Sequence, residues 1–287
     1  MEEKDYQLLL ELYETKNITK VANKLFLTQP ALTKRIKRME DELGCQLFLR
    51  SKKGILFTSV GEDIIPYAKH ICQLGTEMRD HINLTKGIIG GTLNLGSSLN
   101  YSHYRLPNIL KRYSNLYPAV DVHITTNQST DLYRMLKREE ISIAITRGDF
   151  PWDEGKVLVR SEPMCIVCSN EFRDTPLSDF PYIGRKTDSA LMEKLSRWRA
   201  EQGLEQLPIK LWTDNIDSAK EMAAAGLGWC FLPQICLEHF DGCIKEMYFK
   251  DGTPLMRKTY ILYKNAYFEL AQVQLFIQQL LAYEAGM

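Results

Sequence analysis

Along the first sixty residues, short apolar stripes alternate with basic faces, and the spacing of the apolar positions predicts helices. Within residues 19–26, Val21, Ala22 and Leu25 share one helical face while Lys20 and Lys24 point away from it. Thr28 offers a hydroxyl to the first amides of a second helix, and Pro30 falls in the first turn, where a missing N–H costs nothing. That helix starts at Gln29 and carries Leu32, Ile36, Met39 and Leu43 on one stripe. It stops at Gly44, a residue able to take the left-handed conformation of a helix C-terminus. A hairpin follows: residues 46–49 and 55–57 read as strands, with Ser51, Lys52, Lys53 and Gly54 as the turn.

From Thr58 the pattern predicts one long helix, capped by Thr58 or Ser59, with Ser59 and Glu62 forming a capping box. Ile64, Ala68, Ile71, Gly75, Met78 and Ile82 recur at alternating steps of four and three, which is a heptad seam. A small domain cannot cover such a stripe alone, so self-association through this helix is expected; the competing reading packs the stripe on the chain's own C-terminal part. Pro66 predicts a kink, and Gly75 lets a partner approach closely.

Lys86, Gly87, Ile88, Ile89, Gly90 and Gly91 read as a glycine-rich hinge. Beyond it, strand candidates at 93–95, 120–125, 141–146, 164–168, 182–183, 209–212, 229–232, 244–247 and 260–262 alternate with helical stretches at 104–115, 130–138, 190–202 and 218–225. Strands alternating with helices predict parallel sheets covered on both faces. This part of the chain fits two small lobes, with a binding site where strand ends meet helix starts.

Charge sharpens the N-terminal picture. Residues 15–53 hold ten Lys and Arg (16, 20, 24, 34, 35, 37, 38, 50, 52, 53) against three acids (40, 41, 42), although the whole chain balances at 36 against 36. A local cationic excess is the electrostatic footprint of nucleic-acid binding and predicts salt-dependent affinity. Gln29, Thr33, Lys34, Lys37 and Arg38 occupy the face of the second helix opposite its apolar stripe, the alternative being an ordinary solvated basic face.

Several linked positions now carry a resemblance. Val21-Ala22, Leu25, the run Thr28-Gln29-Pro30-Ala31-Leu32-Thr33, Ile36, Glu40, Leu43-Gly44, Leu47-Phe48, Arg50, Phe57-Thr58 and Gly61 resemble the N-terminal signature of the LysR-type transcriptional regulators. Val21, Thr33 and Met39 depart from the commonest family residues but keep volume or a hydroxyl. Gly91-Thr92-Leu93, Leu95-Gly96, Leu106-Pro107, Tyr117-Pro118, Ala225-Gly226-Leu227-Gly228 and Leu232-Pro233 resemble that family's effector-binding domain, itself similar to type 2 periplasmic binding proteins. Glu139 and Ser142 depart from its usual Gly and Asp, which leaves the turn there open in detail.

The resemblance implies an α/β protein with a winged helix-turn-helix at 1–58, a dimerising linker helix and hinge at 59–89, and an effector-binding domain at 90–287. Lobe I is expected at about 90–163 and 264–287, and lobe II at about 164–263. It further implies that Gln29, Pro30, Thr33 and Lys34 contact DNA from the recognition helix, with Arg50 and Lys53 contributing from the wing. Gln29 and Thr33 are candidates for reading base edges, and Lys34, Arg50 and Lys53 for meeting phosphates. Matched to the family's pocket are Ser97, Ser98 and Asn100 after the first strand, Asn127, Gln128 and Ser129 in the second loop, and Thr146 and Arg147 on the third strand. The second lobe offers Arg185, Thr213, Asn215 and Ser218.

A guanidinium beside helix N-termini suits a carboxylate or sulfate-like group, which gives Arg147 the greatest weight; its alternative role is a surface salt bridge with Asp149. The implied partners are double-stranded promoter DNA, further copies of the chain in a homodimer or homotetramer, a small polar or anionic effector, and RNA polymerase as a further candidate. No cofactor or metal is called for.

Seven cysteines include Cys165 and Cys168, readable as a redox pair or half a zinc site. On a strand, however, an offset of three puts them on opposite faces, as core thiols. The odd cysteine total, the missing secretory leader and the absence of a long apolar run point to a cytoplasmic, non-membrane protein. Five scattered histidines (70, 81, 103, 123, 239), without a nucleophile elbow or phosphate loop, argue against an enzyme. The alternative is a two-lobed solute-binding or enzymatic protein with an accessory nucleic-acid module, which leaves residues 1–61 unexplained.

Overall fold

A computed structural model describes residues 1–51, 54–85, 89–207 and 209–286. Residues 1–93, with 118–121 and 137–140, gather into one compact unit, and the remainder into a second.

The first unit begins with a helix that the apolar pattern does not announce, α1 (Glu3–Thr15). Its Leu8-Leu9-Leu10 triplet blurs the helical period, yet Leu8, Leu9 and Leu12 are fully buried. Helices α2 (Ile18–Lys24) and α3 (Gln29–Leu43) follow, and α3 is bounded as expected. Thr28 accepts from the Ala31 amide at 3.3 Å, and Gly44 ends the helix at φ +65°. Leu32, Ile36 and Met39 enter the core with Val21, Ala22 and the α1 leucines, whereas Leu43 remains 45% exposed, so the buried stripe stops one turn early.

Strands β1 (Phe48–Ser51) and β2 (Gly54–Phe57) pair antiparallel with Phe48 opposite Phe57. The Glu40 carboxylate accepts from the amides of Leu47 (2.8 Å) and Phe48 (3.1 Å), tying the hairpin to α3. The first strand starts at Phe48, two residues later than the sequence predicts.

The expected single long helix is two: α4 (Ser59–Asp63) and α5 (Ile65–Thr85). Pro66 lacks the amide that would continue the ladder, so it sits in the first turn of a new helix instead of kinking an old one. Thr58 is the cap, accepting from the Gly61 amide at 3.0 Å, which displaces the Ser59–Glu62 box. Gly61 is required there: a Cβ would lie 2.3 Å from the Leu47 carbonyl oxygen. Along α5, Ile65 and Ala68 join the core, while Ile71, Leu74 and Met78 are exposed. Helix α5 packs against α1, and Arg79 pairs with Glu3 at 3.0 Å. Of the expected hinge, Lys86, Gly87 and Ile88 lie outside the described residues.

The C-terminal part contains β3 (Gly91–Ser98), α6 (Leu99–Tyr104), α7 (Leu106–Leu116), β4 (Val120–Asn127), α8 (Ser129–Lys137), β5 (Ile143–Arg147) and β6 (Gly155–Cys168). Then come β7 (Tyr182–Arg185), α9 (Ser189–Glu201), β8 (Ile209–Thr213), α10 (Ile216–Ala224), β9 (Cys230–Pro233), β10 (Cys243–Glu246), β11 (Met256–Tyr263), α11 (Asn265–Phe268) and α12 (Ala271–Ala285). One sheet runs β10-β6-β11-β5-β3-β4, with β9 also on β6; β7 and β8 form a separate pair.

Parallel sheets are only part of the result. Strands β3 and β5 pair in parallel, as do β7 and β8, but β11 is antiparallel to β5 and β6, and β9 and β10 are antiparallel to β6. No α-helix separates β9, β10 and β11, and parallel pairing needs such a crossover. Strand β6 runs through two environments: its first part pairs with β11 as far as Pro163, and from Met164 it pairs with β9 and β10. One core gathers Leu132, Leu136, Ile141 and Ala144 with Tyr260 and Leu262 of β11, a strand that the resemblance places in the second lobe. The other gathers Met164, Trp198, Trp229, Phe231 and Met247.

Helix α12 also escapes the pattern, because apolar residues surround most of it. Its Val273, Phe276, Ile277 and Leu280 are buried, and Tyr113 of α7 donates to the Gln272 carbonyl at 2.7 Å.

Leu12 bridges α1 to the N-terminal core, so Leu12→Ala is expected to cost about 2–5 kcal/mol. A lower denaturant midpoint, with loss of amide protection in α3, would register it.

Candidate nucleic-acid interface and ligand cavity

Helix α3 presents Gln29, Pro30 and Lys34 to solvent in its first turns, with Lys37 one turn further on. Thr33, half-buried, lines a groove of about 800 Å³ with Lys37, Glu40, Gln46 and Phe48, between α3 and the hairpin. Four predicted DNA contacts, Gln29, Pro30, Thr33 and Lys34, are thus brought to one end of one helix. Arg50 lies on β1 opposite Ile55, and Lys53 falls outside the described residues. Arg35 and Arg38, counted in the basic excess, are turned toward Asp5 of α1.

A second cavity, of about 600 Å³, opens at the ends of β3, β4, β5, β7 and β8. Ser98, Asn100, Asn127, Gln128, Ser129, Arg147 and Asn215 of the expected set line it, and so does Arg185. The remaining candidates do not. Ser97 is buried and donates to the Ser98 carbonyl at 3.4 Å, and Thr146 is buried within β5. Thr213 accepts from the Asn215 amide at 3.1 Å, and the Ser218 amide donates to Asn215 Oδ1 at 3.0 Å, so both serve the cap of α10.

Arg147 differs from either simple role. It is buried, and its Nη2 donates to Glu162 at 2.5 Å, while Asp149 pairs instead with Lys156 at 2.6 Å. Glu162 also accepts from the Ile235 amide at 2.7 Å and from Arg160 at 3.3 Å. Among the described residues, Nη1 of Arg147 has no hydrogen-bond partner, nor has the buried Oγ of Ser98. Burial pulls the Arg147 guanidinium below its ordinary value, and Glu162 opposes that pull.

Lys186, Asp188 and Arg257 also line the cavity without having been singled out in the sequence. Arg257 grips Asp188 with two nitrogens and donates to the Arg147 carbonyl at 3.2 Å. Burial works to raise the Asp188 carboxyl, but the Arg257 pair holds it below the usual carboxylate range. No linear signal joins these residues, since β11 brings Arg257 back beside β5 only through sheet pairing. Arg185 is the exception among the cavity's arginines: it donates to the Lys186 carbonyl at 3.0 Å, makes no ion pair among the described residues, and leaves a buried Nε unpartnered. Burial lowers its pKa as well.

The thiols of Cys165 and Cys168 are buried and unpaired, and burial pushes them up to about 12 and about 11. Among the described residues no group of three His, Cys, Asp or Glu is placed to hold a metal, and no helix is long and apolar enough to cross a membrane.

Two family models match the chain: the bacterial regulatory helix-turn-helix of the lysR family over residues 4–62, and the LysR substrate-binding domain over 87–285. The HTH-type transcriptional regulator YraN of Bacillus subtilis (strain 168) is 34% identical over 279 residues, 96% of each chain. YkuM of the same strain, also described as an HTH-type transcriptional regulator, is 30% identical over 282 residues, 97% of this chain and 96% of its own. Among solved structures, full-length CbnR complexed with its target DNA superposes with a TM-score of 0.70 at 16% identity, covering 98% of this chain and 99% of its own. A full-length OxyR variant from Pseudomonas aeruginosa gives 0.67 at 21% identity, covering 98% and 97%. These two share the fold. With both domains matched, the chain belongs to the LysR family, whose members are transcriptional regulators and not enzymes.

Proposed function

We propose that the protein controls transcription in the cytoplasm by binding promoter DNA as a dimer or a tetramer, in response to a small anionic effector held in the cavity lined by Arg147 and Arg185. The observation that carries the effector class is the uncompensated charge at Arg185. Glu162 answers Arg147 and Asp188 answers Arg257, but among the described residues no carboxylate answers Arg185. A carboxylate or sulfate-like group would supply that charge in a cavity lined by Arg185, Arg147 and Ser98. The amides opening α8, beside Asn127, Gln128 and Ser129, add to the positive field.

Pairing through α5 is supported by its exposed Tyr67, Leu74 and Met78, a face that a single chain leaves to water. Two copies present two α3 helices, which suits half-sites separated by turns of the double helix. The domain division that goes with this reading is 1–58, 59–89 and 90–287, the last with its lobes exchanging chain near Pro163 and again near Leu255. Effector binding then acts as a population shift between lobe arrangements.

On DNA, Lys34→Ala should weaken binding uniformly across sequences and reduce the salt slope by about one ion, while Gln29→Ala should relax sequence preference. Fluorescence titration of duplexes at several salt concentrations measures both, and no binding to any duplex at low salt would remove the DNA-binding role. For the effector, a thermal-shift panel of small carboxylates and inorganic anions should give a stabilising ligand. Arg185→Gln should abolish that shift while leaving duplex affinity within about twofold of the parent. An unchanged shift would take Arg185 out of the site.

A further inference from the structure

Asp5 is a carboxylate with no exposure to water, at the start of α1, with both oxygens engaged. It accepts from the Glu2 amide at 2.7 Å, from Arg35 Nε at 2.5 Å and from Arg38 Nη2 at 3.2 Å. Burial works to raise this carboxyl, yet the Glu2 amide and the two guanidinium groups hold it below its ordinary value. Both arginines belong to α3, on the flank next to the face that carries Lys34, and Arg38 is half-exposed there. Two residues before Asp5, Glu3 pairs with Arg79 of α5.

We propose that Asp5 is a positioning residue for DNA reading: by clasping Arg35 and Arg38 it fixes the rotation of α3 about its own axis and ties that rotation to α1 and α5. The apolar stripe of Leu32, Ile36 and Met39 fixes which side of α3 faces the core, but methyl groups tolerate a small roll. A carboxylate gripping two guanidinium groups does not, because charge-assisted hydrogen bonds to a planar guanidinium are directional. Arg35 and Arg38 are spaced three apart, so they meet Asp5 from one side of the helix and resist roll. The same clasp withdraws two cations from the phosphate field, so its value lies in placing Gln29, Thr33 and Lys34 and not in adding attraction.

Simple electrostatics and positioning therefore predict opposite results for Asp5→Asn. Removing a negative charge beside the DNA-reading helix should tighten binding to every duplex if charge alone matters. If Asp5 positions α3, affinity for an unselected duplex should hold or rise while affinity for a preferred duplex falls, lowering the ratio about tenfold. The full-length chain would be titrated with a duplex selected from a randomised library and with a scrambled duplex of equal length, at two salt concentrations. Melting temperature would be followed in parallel.

Asp5→Glu, which keeps the charge, should recover part of the ratio. Arg35→Lys keeps net charge and loses the planar fork, and it should lower the ratio too, which decides the matter if Asp5→Asn does not fold. A selected-to-scrambled ratio unchanged in the folded variants, or the two affinities rising together, would overturn the proposal.

Discussion

A guanidinium removed from water needs a negative charge close by, since an unpaired buried cation costs several kcal/mol. That constraint organises the C-terminal part. Arg147 takes Glu162, Arg257 takes Asp188, and Arg105 and Arg160 share Glu284 of α12. The pairs join strands and helices far apart in sequence, and Glu162 does so at the point where β6 leaves one core for the other. Against this background Arg185 stands out. Its charge is of the same kind but only partly buried, and among the described residues no carboxylate pairs with it.

The N-terminal unit obeys the same rule with the opposite outcome. There the buried group is an acid, Asp5, and the chain provides its cations on α3. One unit thus closes this cluster internally, whereas in the other Arg185 has no carboxylate partner among the described residues. On the proposed function, the first arrangement stiffens the DNA-reading surface and the second leaves a site that an effector completes.

Much of this was legible in the sequence where chemistry is local. Thr28, Pro30 and Gly44 act within one turn of their own helix, so α3 is bounded where the pattern puts it. The cavity loops follow from the alternation of strand and helix, and Ser98, Asn127 and Asn215 arrive where strand ends predict. The failures are long-range or lack a period. Helices α1 and α12 have apolar residues in blocks, which hide a one-sided face. Pro66 marks a discontinuity, but whether it kinks or restarts a helix depends on the cap that Thr58 supplies. Arg257 and Glu162 could not be assigned to a site from the chain alone, because the pairing of β11 with β5 and β6 brings them there. For Arg147, family position indicated the cavity, while its partner had to come from the fold.

We place an anion site at Arg185, with Arg147 and Ser98 beside it. A crystal structure of the full chain soaked in selenate or bromide tests it directly through anomalous scattering. The expected result is a peak within hydrogen-bonding distance of the Arg185 guanidinium, shared with Arg147 or Ser98. Anomalous peaks at other surface cations, with only water beside Arg185, would contradict it.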